Sequence, residues 1–197
     1  MERPDILLML QEGLPDDIES EVRAQLDRPG LELVVIRQPG GPYAGVELYL
    51  PTAIGLFVAA GFFNGVLQEA GKDAYVAFKV TATALWKRAA KLNVNVFGSV
   101  GKVKPTRRYS LAYSVTGEVL PNLNFKFLIQ TEVSVDDAET GISAFIDLIN
   151  DIINDRVGEE DLKALLTYRP VGGTVLVTFD AASRTIVPVN AFDDRNP

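Results

Sequence analysis

The chain has 197 residues, a formal net charge of −7, and neither cysteine nor histidine. The lack of cysteine excludes disulfides, thiolate metal ligands and cysteine nucleophiles, and the lack of histidine excludes an imidazole general base. An enzyme of this composition would have to use carboxylates, lysine, tyrosine, serine or threonine.

The first elements along the chain form a predicted β-α-β unit. A short apolar run at residues 6–10 is followed by a helix that begins at Pro15, where acidic residues face the positive end of the helix dipole. Residues 31–36 then have the composition of a buried strand. We expect this β-α-β unit to be right-handed with its two strands parallel. A third, shorter strand is predicted at residues 46–50.

The middle of the chain is predicted to be a long, broken helix. It begins at Pro51 and extends as far as Leu92, with a break near Gly71, because its glycines weaken a helix. From Gly71 onward, apolar residues recur in steps of three and four, which predicts one buried face with lysines on the opposite side.

After Asn93 the apolar period changes from helical to two, which is typical of strands. A short strand is predicted at residues 94–97, and two alternating runs near residues 109–116 and 123–129 predict an antiparallel pair. Ser134 precedes Asp137 in a helix-capping pattern, and isoleucines at helical spacing predict a helix up to about Arg156. A short helix near residues 159–166 and a hairpin of residues 174–180 and 184–189 complete the chain, with Pro188 suited to an edge strand.

These elements predict an α+β fold. It has an N-terminal β-α-β unit, a long broken central helix, antiparallel strand pairs, two C-terminal helices and a closing hairpin. We expect one domain over residues 1–192, followed by a short polar tail at 193–197.

An uncharged block is followed by the only basic part of this acidic protein. No residue from 48 to 68 carries a charge, whereas residues 69–108 contain nine basic and two acidic residues. The uncharged block is long enough for a membrane span and contains the small-residue spacing Gly61–Gly65. Pro51 and the polar residues within it favour a buried helix instead, with close packing at Gly61.

The basic block predicts a contact surface over residues 72–108. The candidate binding residues are Lys72, Lys79, Lys87, Arg88, Lys91, Lys102, Lys104, Arg107 and Arg108. An alternative is that these cations pair with the acidic flanks of the same chain. The overall acidity argues against general affinity for nucleic acid.

The preferred interpretation is a non-enzymatic binding domain whose partner is a protein or another copy of the chain, because a basic patch on an acidic molecule suits charge-complementary association. One alternative is a membrane-active or peripheral membrane protein that uses residues 48–68 together with the basic helix. Another is an enzyme that uses carboxylates and a divalent ion. No cofactor and no metal site are predicted, and the N-terminus lacks a signal-peptide pattern, so we expect a cytoplasmic protein.

Overall fold

The computed structural model describes residues 4–39, 49, 51–65, 69–92 and 108–192. The predicted strands at residues 46–50 and 94–97 and the predicted tail at 193–197 lie wholly or largely outside the described residues. Within the described parts, the fold is α+β, as predicted, with one mixed sheet of seven strands. The strands are β1 Ile6–Gln11, β2 Leu33–Gln38, β3 Ile54–Val58, β4 Tyr109–Leu120, β5 Leu123–Gln130, β6 Thr174–Asp180 and β7 Thr185–Pro188. The helices are α1 Asp17–Leu26, α2 Ala60–Gly65, α3 Glu69–Ala89, α4 Val135–Ile153 and α5 Glu159–Leu165.

The strands lie side by side in the order β2-β1-β3-β4-β5-β6-β7. β1 and β2 are parallel, with α1 as the connection between them, so the predicted β-α-β unit is confirmed. β4 and β5 form the predicted antiparallel pair, and β6 and β7 form the predicted closing hairpin. β7 is an edge strand, which agrees with the position of Pro188.

One face of the sheet, called here the helix-covered face, forms the main core. Cross-strand neighbours Leu8, Leu56 and Val115 stand on this face, and all three are fully buried. All five described helices contribute buried or partly buried side chains to the same apolar cluster. The opposite side of the sheet is called the second face, and it carries a smaller cluster of Tyr109, Leu128, Leu176 and Val189.

Two glycines let α4 approach the sheet closely. A Cβ on Gly117 of β4 would lie 2.8 Å from Ile149, and a Cβ on Gly141 of α4 would lie 2.7 Å from the Cβ of Phe179. Real side chains do not approach one another this closely, so both positions require glycine for steric reasons. The N-terminus of α4 is capped as predicted, because Asp137 N–H donates to Ser134 Oγ at 3.1 Å.

The prediction of a helix from Pro51 is wrong at its beginning. Residues Ile54–Val58 form β3, which lies between β1 and β4, and only then does the short helix α2 begin. A strand in the middle of a sheet is buried on both sides and therefore reads as an unbroken apolar run, which periodicity cannot distinguish from a buried helix.

The second half of the same prediction is confirmed as helix α3. Its predicted inner positions Phe78, Ala82, Leu85 and Ala89 are all buried. α2 ends at Gly65 and α3 begins at Glu69, so Gly71, where we predicted the break, lies inside α3. The expected close packing at Gly61 is also wrong, because a Cβ there would have only one neighbour within 4 Å, Asp5 Oδ1 at 3.8 Å.

Candidate functional site

Helix α3 carries four of the nine predicted binding residues, with Lys91 two residues beyond its end, and contacts both α1 and α4. Its apolar side faces β3 and β4, which leaves three remaining sides: one toward α1, one toward α4 and one away from the protein. At 100° per residue the predicted cations are distributed over all three of these sides.

Two of the cations form ion pairs with carboxylates of α4, Lys79 from the side toward α4 and Lys87 from the edge of the side that points away from the protein. Lys79 Nζ lies 2.9 and 2.8 Å from the two carboxylate oxygens of Asp147. About two turns further along the helix, Lys87 Nζ lies 2.7 Å from a carboxylate oxygen of Glu139. These contacts are the intramolecular pairing that the sequence left open as the alternative to a binding surface.

Tyr75 joins the contact between Lys79 and Asp147. Its hydroxyl donates to Asp147 Oδ1, and Lys79 Nζ lies 5.5 Å from the centre of its ring. Burial, and then the hydrogen bond to Asp147, raises the pKa of Tyr75 well above its usual value, so this hydroxyl keeps its proton at any physiological pH. These three side chains therefore connect α3 to α4, and Tyr75 does not supply a tyrosinate that could act as a base.

On the side toward α1, Arg88 holds two carboxylates. Its guanidinium nitrogens lie 2.6 Å from Asp17 Oδ2 and 2.7 Å from Glu21 Oε1. The hydrogen bond from Arg88 lowers the pKa of Asp17, so this carboxylate stays ionised at neutral pH. Arg88 thus fastens α3 to α1 and is a structural residue in the described fold.

The other predicted binding residues fall into two groups. Lys72 is exposed on α3 and Lys91 is exposed just after it, and neither forms an ion pair with a residue that the structure describes. Arg108, next to the start of β4, lies 5.5 Å from the centre of the Tyr109 ring. Lys102, Lys104 and Arg107 lie outside the described residues.

The side of α3 that points away from the protein also carries two valines that the sequence argument did not single out. Val76 is 59% exposed and Val80, one turn later, is 56% exposed. At 100° per residue they share one side of the helix with two lysines and one aspartate, and we call this side the outer face of α3. The outer face consists of Lys72, Asp73, Val76, Val80 and Lys87, together with Lys91 two residues after the helix ends. The helical spacing of the sequence already places Val76 and Val80 on the same side as these lysines.

The second face of the sheet has an unexpected row of buried polar side chains. Thr52 and Ser114 hydroxyl oxygens lie 2.8 Å apart, and Thr178 donates to the carbonyl of Leu128 at 2.9 Å. Glu118 and Lys126 are also buried, at 9% and 6% exposed. The strand pattern predicts these positions as the polar, outward side of β4–β6, so their burial was missed.

Lys126 stands between Thr116 of β4 and Leu176 of β6 on this face. Glu118 is its diagonal neighbour on β4, and it accepts a hydrogen bond from Ala60 N–H at 3.3 Å. Burial lowers the pKa of Lys126 to about 8, because an ammonium ion loses hydration inside the protein. Its position between Phe125 and Phe127 was the available sequence signal.

Comparison of the chain with protein-family models, with curated proteins and with solved structures finds no match. None of the described helices combines the length and the apolar character needed to cross a membrane. Within the described ranges, no three acidic side chains are grouped so as to hold a metal ion.

Proposed function

We propose that this protein is a binding domain whose contact surface is the outer face of α3. The partner is a segment of another protein with an apolar centre and acidic residues beside it. The proposal narrows the contact surface predicted from the sequence, because Lys79 and Arg88 are engaged in holding α3 to its neighbours.

The supporting observation is the exposure of Val76 and Val80 on successive turns of one helix. Single exposed apolar residues are common on protein surfaces, but a pair at this spacing forms a continuous apolar stripe. Burying such area from water contributes about 25 cal/mol per Å². Binding of a partner that covers both valines is therefore favoured, because it removes this apolar surface from water.

Charge favours an acidic partner. Lys72 and Lys91 stand at the two ends of the outer face without an ion-pair partner among the described residues, and the Lys87 side chain is 52% exposed beside its contact with Glu139. Carboxylates on the partner would meet these ammonium groups, while the net charge of −7 repels an acidic partner elsewhere on the molecule. Three lysines against the single carboxylate of Asp73 give the outer face a positive net charge, which favours an acidic partner.

The test measures the binding of a synthetic helical peptide that carries leucines on one face and glutamates beside them. By fluorescence anisotropy, the wild-type protein should bind this labelled peptide, and binding should weaken as salt is added. The double variant V76S/V80S should raise Kd at least about tenfold, because the apolar centre is lost.

The matched control is Val135→Ser, because Val135 is 55% exposed but lies at the start of α4. It should bind the peptide as the wild type does. Absence of binding by the wild type, or equal binding by V76S/V80S and V135S, would overturn the proposal. Binding to phosphatidylserine vesicles but not to the peptide would overturn it in favour of a membrane surface.

A further inference from the structure

The two edge strands of the sheet differ in how they are protected. β7 has four residues and ends at Pro188, which has no N–H to offer to another strand. β2 has six residues and no proline, and no described strand lies along its outer edge. Natural proteins usually protect a sheet edge of this kind.

The backbone groups at the outer edge of β2 follow from its pairing with β1. Ile6 N–H donates to the carbonyl of Glu32 at 3.1 Å, and Glu12 N–H donates to the carbonyl of Gln38 at 2.9 Å. In a parallel ladder every second residue bonds to the same neighbour, so the even-numbered residues of β2 bond to β1. The backbone N–H and C=O groups of Leu33, Val35 and Arg37 therefore point outward.

The side chains of β2 do not block this edge. Arg37 is the single charged residue in the strand, and its guanidinium is drawn toward α1 by Asp16 at 2.7 Å and by the Leu14 carbonyl at 3.2 Å. On the second face of the sheet, β2 presents Val34 and Ile36, and Ile36 is 40% exposed. The edge thus offers unpaired backbone groups, and Val34 and Ile36 make the adjoining surface apolar.

We propose that two copies of this chain associate through β2, which pairs antiparallel with its symmetry mate about a two-fold axis at Val35. In this register each outward-pointing residue faces another: Val35 faces Val35 of the second copy, and Leu33 faces Arg37. Facing pairs of this kind exchange both backbone hydrogen bonds. The two sheets then form one continuous sheet.

The register is also the one that matches the side chains. It places Val34 of each copy opposite Ile36 of the other, so two apolar cross-strand pairs form on the second face. Centring the axis on Arg37 would bring two like charges together, and centring it on Leu33 would set Val34 against Glu32. The pairing at Val35 therefore satisfies the backbone and the side chains at once.

Light scattering during size-exclusion chromatography tests the proposal at protein concentrations up to about 100 µM. The wild type should elute with twice the 21.5 kDa mass of one chain. Ile36→Lys should be monomeric, because it places two ammonium groups at the centre of the interface. Leu120→Lys is the control, since Leu120 is 55% exposed and lies at the end of β4, and it should remain dimeric.

Amide hydrogen exchange gives an independent measurement if Ile36→Lys affects folding. The Val35 amide should exchange more slowly in the wild type as protein concentration rises, because it becomes bonded only in the dimer. A monomeric wild type, a dimeric Ile36→Lys, or a concentration-independent Val35 amide would overturn the proposal. A dimer that V76S/V80S dissociates, with Ile36→Lys unaffected, would overturn it and assign self-association to α3.

Discussion

Gly141 allows α4 to pack closely against the sheet because it has no side chain. Gly141→Ala would normally favour a helix by about 1 kcal/mol. Here the added methyl would lie 2.7 Å from Phe179 Cβ and 3.0 Å from Phe127 Cζ. We expect the variant to lower the free energy of unfolding by about 1–3 kcal/mol, because α4 must shift from the sheet. Urea denaturation measures this change.

The matched control is Gly61→Ala, also in a helix, where the nearest atom to the added Cβ is Asp5 Oδ1 at 3.8 Å. It should leave the free energy of unfolding unchanged or slightly higher. A Gly141→Ala variant as stable as Gly61→Ala would contradict the close packing of α4 on β5 and β6.

Lys126 should make the stability of the protein depend on pH in alkaline solution. Its pKa is about 8 in the folded protein against 10.5 for an ordinary lysine, so between these values the unfolded chain holds a proton that the folded protein does not. Stability therefore rises with pH through this window and is lowest below pH 8. From pH 7.5 to 9.5 we expect the free energy of unfolding to increase by about 2 kcal/mol.

Chemical denaturation at several pH values tests the role of Lys126. Lys126→Met should abolish the rise, whereas Lys163→Met, at an exposed lysine of α5, should retain it. The measurement stops at pH 9.5 because the pKa values of Tyr75 and Tyr113 are raised in the folded protein. These tyrosines oppose the effect of Lys126 once unfolded tyrosines ionise. Identical pH profiles for the wild type and Lys126→Met would contradict the expectation.

Residue-level function was only partly predictable from the sequence. The spacing identified which side of α3 is buried and which cations it carries. The spacing could not show that Lys79 and Arg88 form ion pairs with carboxylates of α4 and α1, since those acidic residues are distant in the sequence. Valine is usually buried and lysine is usually exposed, so the exposure of Val76 and the burial of Lys126 are seen only in the tertiary structure.

At the scale of elements, the contact of Asp147 with Tyr75 and Lys79 joins two helices. Asp147→Ala removes the acceptor of both groups, and we expect the free energy of unfolding to fall by about 1 kcal/mol, since Asp147 is half exposed. A double-mutant cycle with Lys79→Met measures the part due to the ion pair. That coupling should be below about 1 kcal/mol and should shrink in high salt.

The control for this cycle is Glu160→Ala in α5. Its pair with Lys163 has a similar distance, 2.9 Å, but the two side chains are 65% and 89% exposed. Glu160→Ala should change stability little. If both variants lower the free energy of unfolding equally, the contact of Asp147 with Tyr75 and Lys79 stabilises the protein no more than an exposed ion pair does.

Elements with a clear period were predicted correctly, and the one that lacks a period was not. α4 shows helical spacing and β4 and β5 alternate, because each has one face in the core and one face outside it. β3 is buried on both sides, so its five residues show no alternation that separates a strand from a helix. The error at residues 54–58 therefore follows from the central position of the strand.

At the scale of the whole molecule, the α+β class and the local units were predictable, whereas the order of strands was not. Each β-α-β unit or hairpin is defined by neighbouring segments, and its pattern is local. The placement of β3 between β1 and β4 depends on contacts between distant segments. The coverage of one sheet face by α1, α3 and α4 likewise depends on tertiary packing.

The position of β3 has a consequence for how the chain assembles. From β4 onward, each strand lies beside the next one in sequence, so this half can form progressively from nearby segments. The ribbon of β1 and β2 is the other half, and within the described residues the sheet joins the halves through β3 and its immediate flanks. A one-residue slip of β3 would turn its core side chains outward and misalign both halves together. The correct register of this five-residue strand therefore decides whether the two parts of the sheet are aligned with each other.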